Sequence, residues 1–209
     1  MSSMDTTVLL VRHGQTLSNI AGRYMGWSDE GLSEEGMWQA KQLSRRLASW
    51  SIAFAYSSPL KRAYQTAGII AAPHSLSVSP LEGLGEIRIG DWEGKSGAEI
   101  EVKFPHIWQV WRRDPSAVQM PGGENMAQVR ERAIASFENI LETNQGRQVL
   151  VVTHEVIVKL LVAHCLNVST SIYRQFEVAN ASLTIIQLID GRQRLRLLND
   201  TGHLEANPR

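Results

Sequence analysis

Two histidines and two arginines hold the chemistry of this chain, and three of the four sit at the ends of apolar runs. Val8-Leu9-Leu10-Val11 ends in Arg12-His13-Gly14, and Val149-Leu150-Val151-Val152 ends in Thr153-His154. Each run reads as a buried strand. In an open α/β sheet, strand ends of this kind are where ligand sites sit. Gly14 is expected to break the first strand and let the backbone turn. Arginine offers a planar fork that fits phosphate oxygens. Histidine is a nucleophile and proton carrier near neutral pH, and a neighbouring guanidinium favours its neutral form. The pair points to attack on phosphorus, although Arg-His-Gly by itself is equally a polar turn after a core strand.

Other segments supply further pieces. Ile52 to Tyr56 reads as a short strand, followed by Ser57-Ser58-Pro59. Ser58 as N-cap and Pro59 at the first helical position predict a helix start there. Arg62 then falls in the first turn, beside a terminus whose free N–H groups attract anions. Alone, it would be a solvated surface charge. The glycines at 83, 85, 90 and 94 make Leu84–Gly94 a loop with three carboxylates, Glu86, Asp91 and Glu93. An alkoxide leaves poorly without a proton donor. A carboxyl serves near neutral pH only if burial or nearby negative charge raises its pKa. Residue types alone do not choose among the three.

Taken in order, the segments resemble the histidine phosphatase superfamily, in the branch with cofactor-dependent phosphoglycerate mutase and its phosphatase relatives. The matching stretches are Leu10–Thr16 with Asn19, Gly22–Asp29, Leu32–Ala40, Ser57–Ala67, the Glu86 loop, Pro121–Asn125 and Val152–His154. Together they run from about residue 8 to about residue 190. The resemblance implies that His13 is the nucleophile and becomes a phosphohistidine. It implies that Arg12, Arg62 and His154 bind the phosphoryl group, and that Glu86 is the proton donor and later the base for the hydrolytic water. It also places Asn19, Gln15 and Arg23 among the substrate-binding residues. Phosphoryl transfer needs mainly positioning and charge stabilisation, so no metal and no cofactor are expected. Trp92-Glu93-Gly94 is then expected to pack and turn the loop. One departure stands out: the family pattern has a small residue after the second histidine, and here it is Glu155. A carboxylate is favoured at a helix N-terminus, so Glu155 is expected to point along the helix start. Inward placement would instead hint at a substrate bearing a cation, or at a second acid-base group.

Composition agrees with a small globular enzyme. The chain has 209 residues, 43% of them hydrophobic, with 21 acidic and 21 basic side chains. The length suggests a single domain over 1–209, with an insertion at about 90–123 and a tail at about 201–209. Zero net charge gives no support for nucleic-acid or membrane-surface binding. The single cysteine, Cys165, excludes an internal disulfide and fits a reducing, cytoplasmic setting. It lies in an apolar helix and is expected to be an inert thiol. No N-terminal apolar segment reads as a signal or a membrane span. The expected partner is a small phosphorylated metabolite, and a homodimer stays open beside a monomer.

These elements imply an α/β fold with three layers, α/β/α. The central sheet is expected to be mostly parallel, with an antiparallel edge strand and a small helical insertion over the site. Helices are expected at about 33–49, from Pro59, at about 125–142 and at 156–166, with a short strand near 76–78. Ser182–Ile189 and Arg194–Leu198 read as a hairpin through Asp190-Gly191. Met1–Met4 and Thr201–Arg209 read as loose ends. Trp108 and Trp111 are expected to form the core of the insertion, with a substrate wall as the alternative. His106 could touch substrate, whereas His74, His164 and His203 read as surface, packing and tail residues. Pro121-Gly122-Gly123-Glu124 reads as helix capping, with pocket shaping as the alternative.

Three functions fit. The first is a phosphatase acting on a small phosphomonoester. The second is a phosphoglycerate mutase using the same phosphohistidine, and the third is a non-catalytic binding protein on the same fold. Mutases of the family carry Arg-Xaa-Tyr-Gly after the acid glutamate. Here the stretch is Glu86-Ile87-Arg88-Ile89-Gly90-Asp91-Trp92-Glu93-Gly94, which resembles the phosphatase branch. The physiological substrate is not legible in the residues.

Overall fold

The computed structural model describes residues 5–205. The expected loose segment Met1–Met4 lies outside them, as do residues 206–209. In chain order the elements are β1 (Thr6–Arg12), α1 (Leu17–Ile20), α2 (Glu34–Leu47), β2 (Ile52–Ser57), α3 (Lys61–Ala71) and β3 (Val78–Pro80). The chain continues through α4 (Gly97–Lys103), α5 (Pro105–Arg113), α6 (Met126–Thr143), β4 (Gln148–Thr153), α7 (Glu155–Cys165), β5 (Leu183–Ile189) and β6 (Arg192–Asp200).

The strands form one sheet in the order β3-β2-β4-β1-β5-β6. The first four are mutually parallel. β5 runs antiparallel to β1, and β6 antiparallel to β5, so the antiparallel part is a hairpin rather than a single edge strand. Val8, Leu10, Val149 and Val151 face one core, shared with α5, α6 and α7. Leu9, Val11, Leu150 and Val152 face the other, shared with α2 and α3. Unbroken apolar runs are what a strand buried on both faces requires, and they produce the expected three layers.

Local signals set most helix ends. Ser33 caps α2, its Oγ accepting from Gly36 N at 3.0 Å, a contact whose loss costs about 1 kcal/mol. Glu34 and Glu35 in the first turn and Arg45 and Arg46 in the last complement the helix dipole. Ser58 does not cap α3 as expected. An extended Leu60 (φ −67°, ψ 133°) delays the helix to Lys61, and the Ser58 side chain is used elsewhere.

Residues 90–123 fold as α4 and α5 between short turns at Gly90–Trp92 and Pro115–Ala117. A capping box of Ser96 and Glu99 opens α4, and Pro105 takes the first turn of α5. Trp108 and Trp111 pack edge-on against the buried Trp92, at 5.8 and 5.7 Å between ring centroids. They form the core of the insertion, as expected.

The hairpin turns through Asp190 and Gly191, both at positive φ (49° and 72°), the backbone of a tight two-residue turn. β6 is longer than the expected 194–198. Its outward arginines at 192, 194 and 196 hide a strand that pairs along almost its whole length with β5. The short strand near 76–78 lies slightly later, at Val78–Pro80. The tail is ordered at its start, against expectation: Gly202–Leu204 form a turn, and the preceding Asp200 is fastened to Arg46 by an ion pair. Among the described residues, no helix is long and apolar enough to cross a membrane.

Candidate active site

The parallel register of β1 and β4 sets Arg12 opposite Thr153. One residue further, His13 N donates to Thr153 O at 2.9 Å. The next side chains therefore emerge together, and the His13 and His154 rings lie 5.1 Å apart, edge to face. α7 packs on one face of the sheet and α2 and α3 on the other. That divergence of helices opens a crevice beyond the carboxyl ends of the strands. Gly14 serves this geometry by proximity rather than by turning freedom. A Cβ there would stand 2.5 Å from Gly36 O, and one on Gly36 would stand 2.0 Å from Gln15 O.

His13 Nδ1 lies 2.7 Å from Gly14 O. A carbonyl only accepts, so Nδ1 carries the proton and Nε2 keeps its lone pair. Burial first, then the charges of Arg62 and Arg12, hold the His13 pKa well below the ordinary 6.5. The ring is therefore a neutral, nucleophilic imidazole at physiological pH. His154 Nε2 lies 2.7 Å from Ser58 Oγ. That oxygen also accepts from Leu60 N; in the tautomer in which its hydroxyl proton goes to Nε2, the imidazole proton sits on Nδ1. His154 Nδ1 is buried with no hydrogen-bond partner among the described residues.

Arg62 is 2% exposed and donates to Ser28 O at 3.0 Å and Gly26 O at 2.8 Å. No carboxylate lies within ion-pairing distance of it among the described residues. Burial lowers its pKa from the ordinary value. A buried guanidinium held only by carbonyls is a site prepared for an anion. The loop that holds it is itself tied down by Glu93, which accepts from Gly26 N, Trp27 N and Ser28 Oγ. Glu93 thus orders the neighbouring 26–28 loop, whereas the sequence suggested a part in turning its own 84–94 loop.

Glu86 is 8% exposed, and its Oε1 accepts from Ile87 N at 2.9 Å. Burial pushes its pKa from 4.5 up to about 7, with Ile87 N–H and Arg62 opposing the rise. Arg132 of α6 clamps the loop. It donates to Gly83 O at 3.0 Å, to Gly85 O at 2.6 Å and to Glu86 O at 2.9 Å, and pairs with Glu124 at 2.8 Å. Glu124 also accepts from Arg88 N. The Pro121–Glu124 segment therefore supports the acid loop, while Asn125 does the capping of α6.

These groups surround a cavity of about 340 Å3 lined by Arg12, His13, Asn19, Arg23, Arg62 and Glu86, within the size range of small-molecule sites. Tyr24, Trp111, Glu155, Lys159, Tyr173 and Arg174 also line it. Trp111 is thus both insertion core and wall. Gln15, expected as a substrate contact, is not among the lining residues. Its backbone N–H bonds Gln39, and its carbonyl accepts from Ser33 at the start of α2. His154 is fully buried and is not among the lining residues, with its ring 5.1 Å from that of His13. His106 belongs to a separate shallow groove with Ile107 and Val110. His164 pairs with Glu138, away from the site.

Glu155 does not point along the helix start. It faces the cavity and pairs with Arg12 at 3.0 Å and Lys159 at 2.9 Å. Two nearby cations outweigh the fraction of a kcal/mol that a helix terminus offers a surface carboxylate.

Sequence reasoning missed Arg132, Lys159, Tyr173 and Arg174. It also missed Asn180, which donates to His13 O and to Asn19 Oδ1. None of these lies in a local motif. Ser58-Pro59 is the one sequence signal near the His154 partner, and by residue type it reads as a cap. Among the described residues, no group of three or more His, Cys, Asp or Glu could hold a metal ion.

Comparison with known proteins agrees with this geometry. The histidine phosphatase superfamily (branch 1) matches residues 8–201. Phosphoserine phosphatase 1 of Hydrogenobacter thermophilus is 36% identical over 197 residues, covering 94% of this chain and 93% of that protein. The solved structure of Bacillus stearothermophilus YhfR superposes with a TM-score of 0.92 at 32% identity, over 96% of this chain and 100% of the other. An Entamoeba histolytica phosphoserine phosphatase mutant in complex with phosphoserine superposes with a TM-score of 0.86 at 25% identity, over 96% and 100% of the two chains.

Proposed function

The chain belongs to the histidine phosphatase superfamily and is a phosphomonoester hydrolase, and from that premise we propose how its own residues carry the reaction. His13 Nε2 attacks the phosphorus of a small phosphorylated metabolite, forming a P–N bond as the ester P–O bond breaks. Glu86 gives its proton to the departing oxygen. A water then attacks the phosphohistidine, its proton passes to the Glu86 carboxylate, the P–N bond breaks, and orthophosphate leaves.

Arg12 and Arg62 hold the equatorial oxygens, and His154 adds its Nδ1–H. Charge that develops on these oxygens meets donors already in place, which is where most of the rate enhancement in such sites arises. These groups do for the phosphoryl oxygens what a metal ion does elsewhere, so the reaction runs without one. A pKa of about 7 for Glu86 suits both of its duties, since the ideal catalytic pKa lies near the working pH.

The observation that carries this reading is Arg62: a buried cation that lines the same cavity as His13 and has no carboxylate within ion-pairing distance among the described residues. The chain is taken to act as one domain over 1–209. A free, half-buried Cys165 fits work in the reducing cytoplasm.

The proton-donor assignment is tested by varying the leaving group. Glu86→Gln is expected to slow hydrolysis of alkyl phosphates far more than that of p-nitrophenyl phosphate, because nitrophenolate scarcely needs a proton. Equal slowing of both would assign Glu86 to binding instead. Assaying 3-phosphoglycerate isomerisation alongside separates hydrolysis from mutase activity.

A further inference from the structure

We propose that Glu155 makes the phosphate pocket selective for phosphomonoesters that carry an ammonium group close to the ester oxygen, at the expense of bare orthophosphate. This rests on the phosphatase reading and adds a substrate class to it.

The argument starts from Arg12, whose Nη1 donates to Val178 O and pairs with Glu155 Oε2 at 3.0 Å. The other carboxylate oxygen is held by Lys159 Nζ at 2.9 Å. Lys159 is 7% exposed and sits 4.4 Å from the centroid of the Tyr173 ring. The carboxylate is therefore anchored at the cavity wall rather than free to swing into water.

A phosphoryl group that reaches Arg12 comes up against a guanidinium that already holds an anion. Two negative groups on one guanidinium repel. Orthophosphate or a simple alkyl phosphate receives nothing in return for that repulsion. A ligand with an ammonium two carbons from its ester oxygen places positive charge between its own phosphoryl group and Glu155, and the repulsion becomes attraction.

The remaining wall offers aromatic faces (Tyr24, Trp111 and Tyr173) but no further anionic partner for a cation. Arg23, Lys159 and Arg174 are positive, and Glu86 and Glu155 are the two carboxylates that line the cavity. Glu86 must be neutral to donate its proton, which leaves Glu155 as the standing negative charge. Its side chain is 34% exposed, so solvent screens the effect, and a modest selectivity of about three- to tenfold is expected.

The test measures orthophosphate, ethyl phosphate and O-phosphoethanolamine as competitors of p-nitrophenyl phosphate hydrolysis, so that a ligand that is not turned over is still scored by its Ki. The unsubstituted protein is compared with Glu155→Gln and Glu155→Ala, which remove the same charge with different packing. Both substitutions are expected to tighten orthophosphate and ethyl phosphate. Both are also expected to lower the ratio of the ethyl phosphate Ki to the O-phosphoethanolamine Ki by about three- to tenfold. A variant that merely damaged the pocket would weaken all three ligands together and leave the ratio as it was. An unchanged or increased ratio overturns the inference while the phosphatase reading stands. A native protein that hydrolyses no monoester would defeat both, and the two failures are therefore distinguishable.

Discussion

Burying a carboxyl that must hold a proton weakens the fold above a definite pH, and Glu86→Gln exposes that cost. The ordinary glutamate value of 4.5 is raised to about 7 by burial in the site. A raised carboxyl pKa leaves stability at its full value below pH 4.5, where the group is protonated in both folded and unfolded chains. Stability then falls as pH rises toward 7, because the unfolded chain ionises freely and the folded one does not. At about 1.4 kcal/mol per pH unit of pKa change, the loss amounts to about 3 kcal/mol. Glutamine keeps the shape of the acid and never ionises. Urea unfolding of both proteins between pH 4.5 and pH 8 reads the effect directly, since the other titrating groups cancel in the difference. The substituted protein is expected to gain about 3 kcal/mol relative to the native one across that window, while losing most of its activity toward alkyl phosphates. A stability difference that stays flat from pH 4.5 to pH 8 would mean that Glu86 is not a strained acid and would remove the physical basis of its role.

Two further outcomes follow from the same geometry. Arg132→Met keeps the apolar stem of the side chain but removes the donors to Gly83, Gly85 and Glu86 carbonyls. It is expected to cost about 2–4 kcal/mol in denaturant unfolding and at least about tenfold in kcat through misplacement of the acid. Unchanged stability would mean that the clamp contributes nothing. EDTA is expected to leave the rate of p-nitrophenyl phosphate hydrolysis unchanged, and inhibition rescued by a divalent ion would contradict the metal-free reading.

The catalytic centre was legible wherever function coincides with punctuation in the chain. An apolar run cut off by Arg12-His13 or by Thr153-His154 is visible because polar residues interrupt the apolar pattern where the strand ends. The layers were legible for a related reason: Val8–Val11 and Val149–Val152 are apolar without alternation, as only a sheet covered on both faces demands. What escaped acts across long separations. Arg132 lies 46 residues from Glu86 in sequence, and nothing around it marks it as more than one face of a helix. Lys159 reads as a stray charge in the apolar α7 until Tyr173 and Glu155 are seen to hold it. Glu155 itself was misread because a rule about helix termini was applied without Arg12, a residue that only the pairing of β1 with β4 brings near. Ser58 reads as a helix cap, yet besides the local bond from Leu60 N its hydroxyl meets His154, a partner 96 residues away. Gln15 shows the opposite case: the resemblance implies a pocket residue, whereas Ser33 and Gln39 take its backbone carbonyl and N–H.

The account depends on a covalent bond between phosphorus and the imidazole of residue 13. Rapid mixing with a phosphomonoester, an alkaline quench and peptide mass spectrometry would measure it. A phosphoryl group on His13 is predicted, stable to base and lost in acid, and absent from His13→Ala. Steady turnover with no phosphorylated His13, or with the group on another residue, would contradict it.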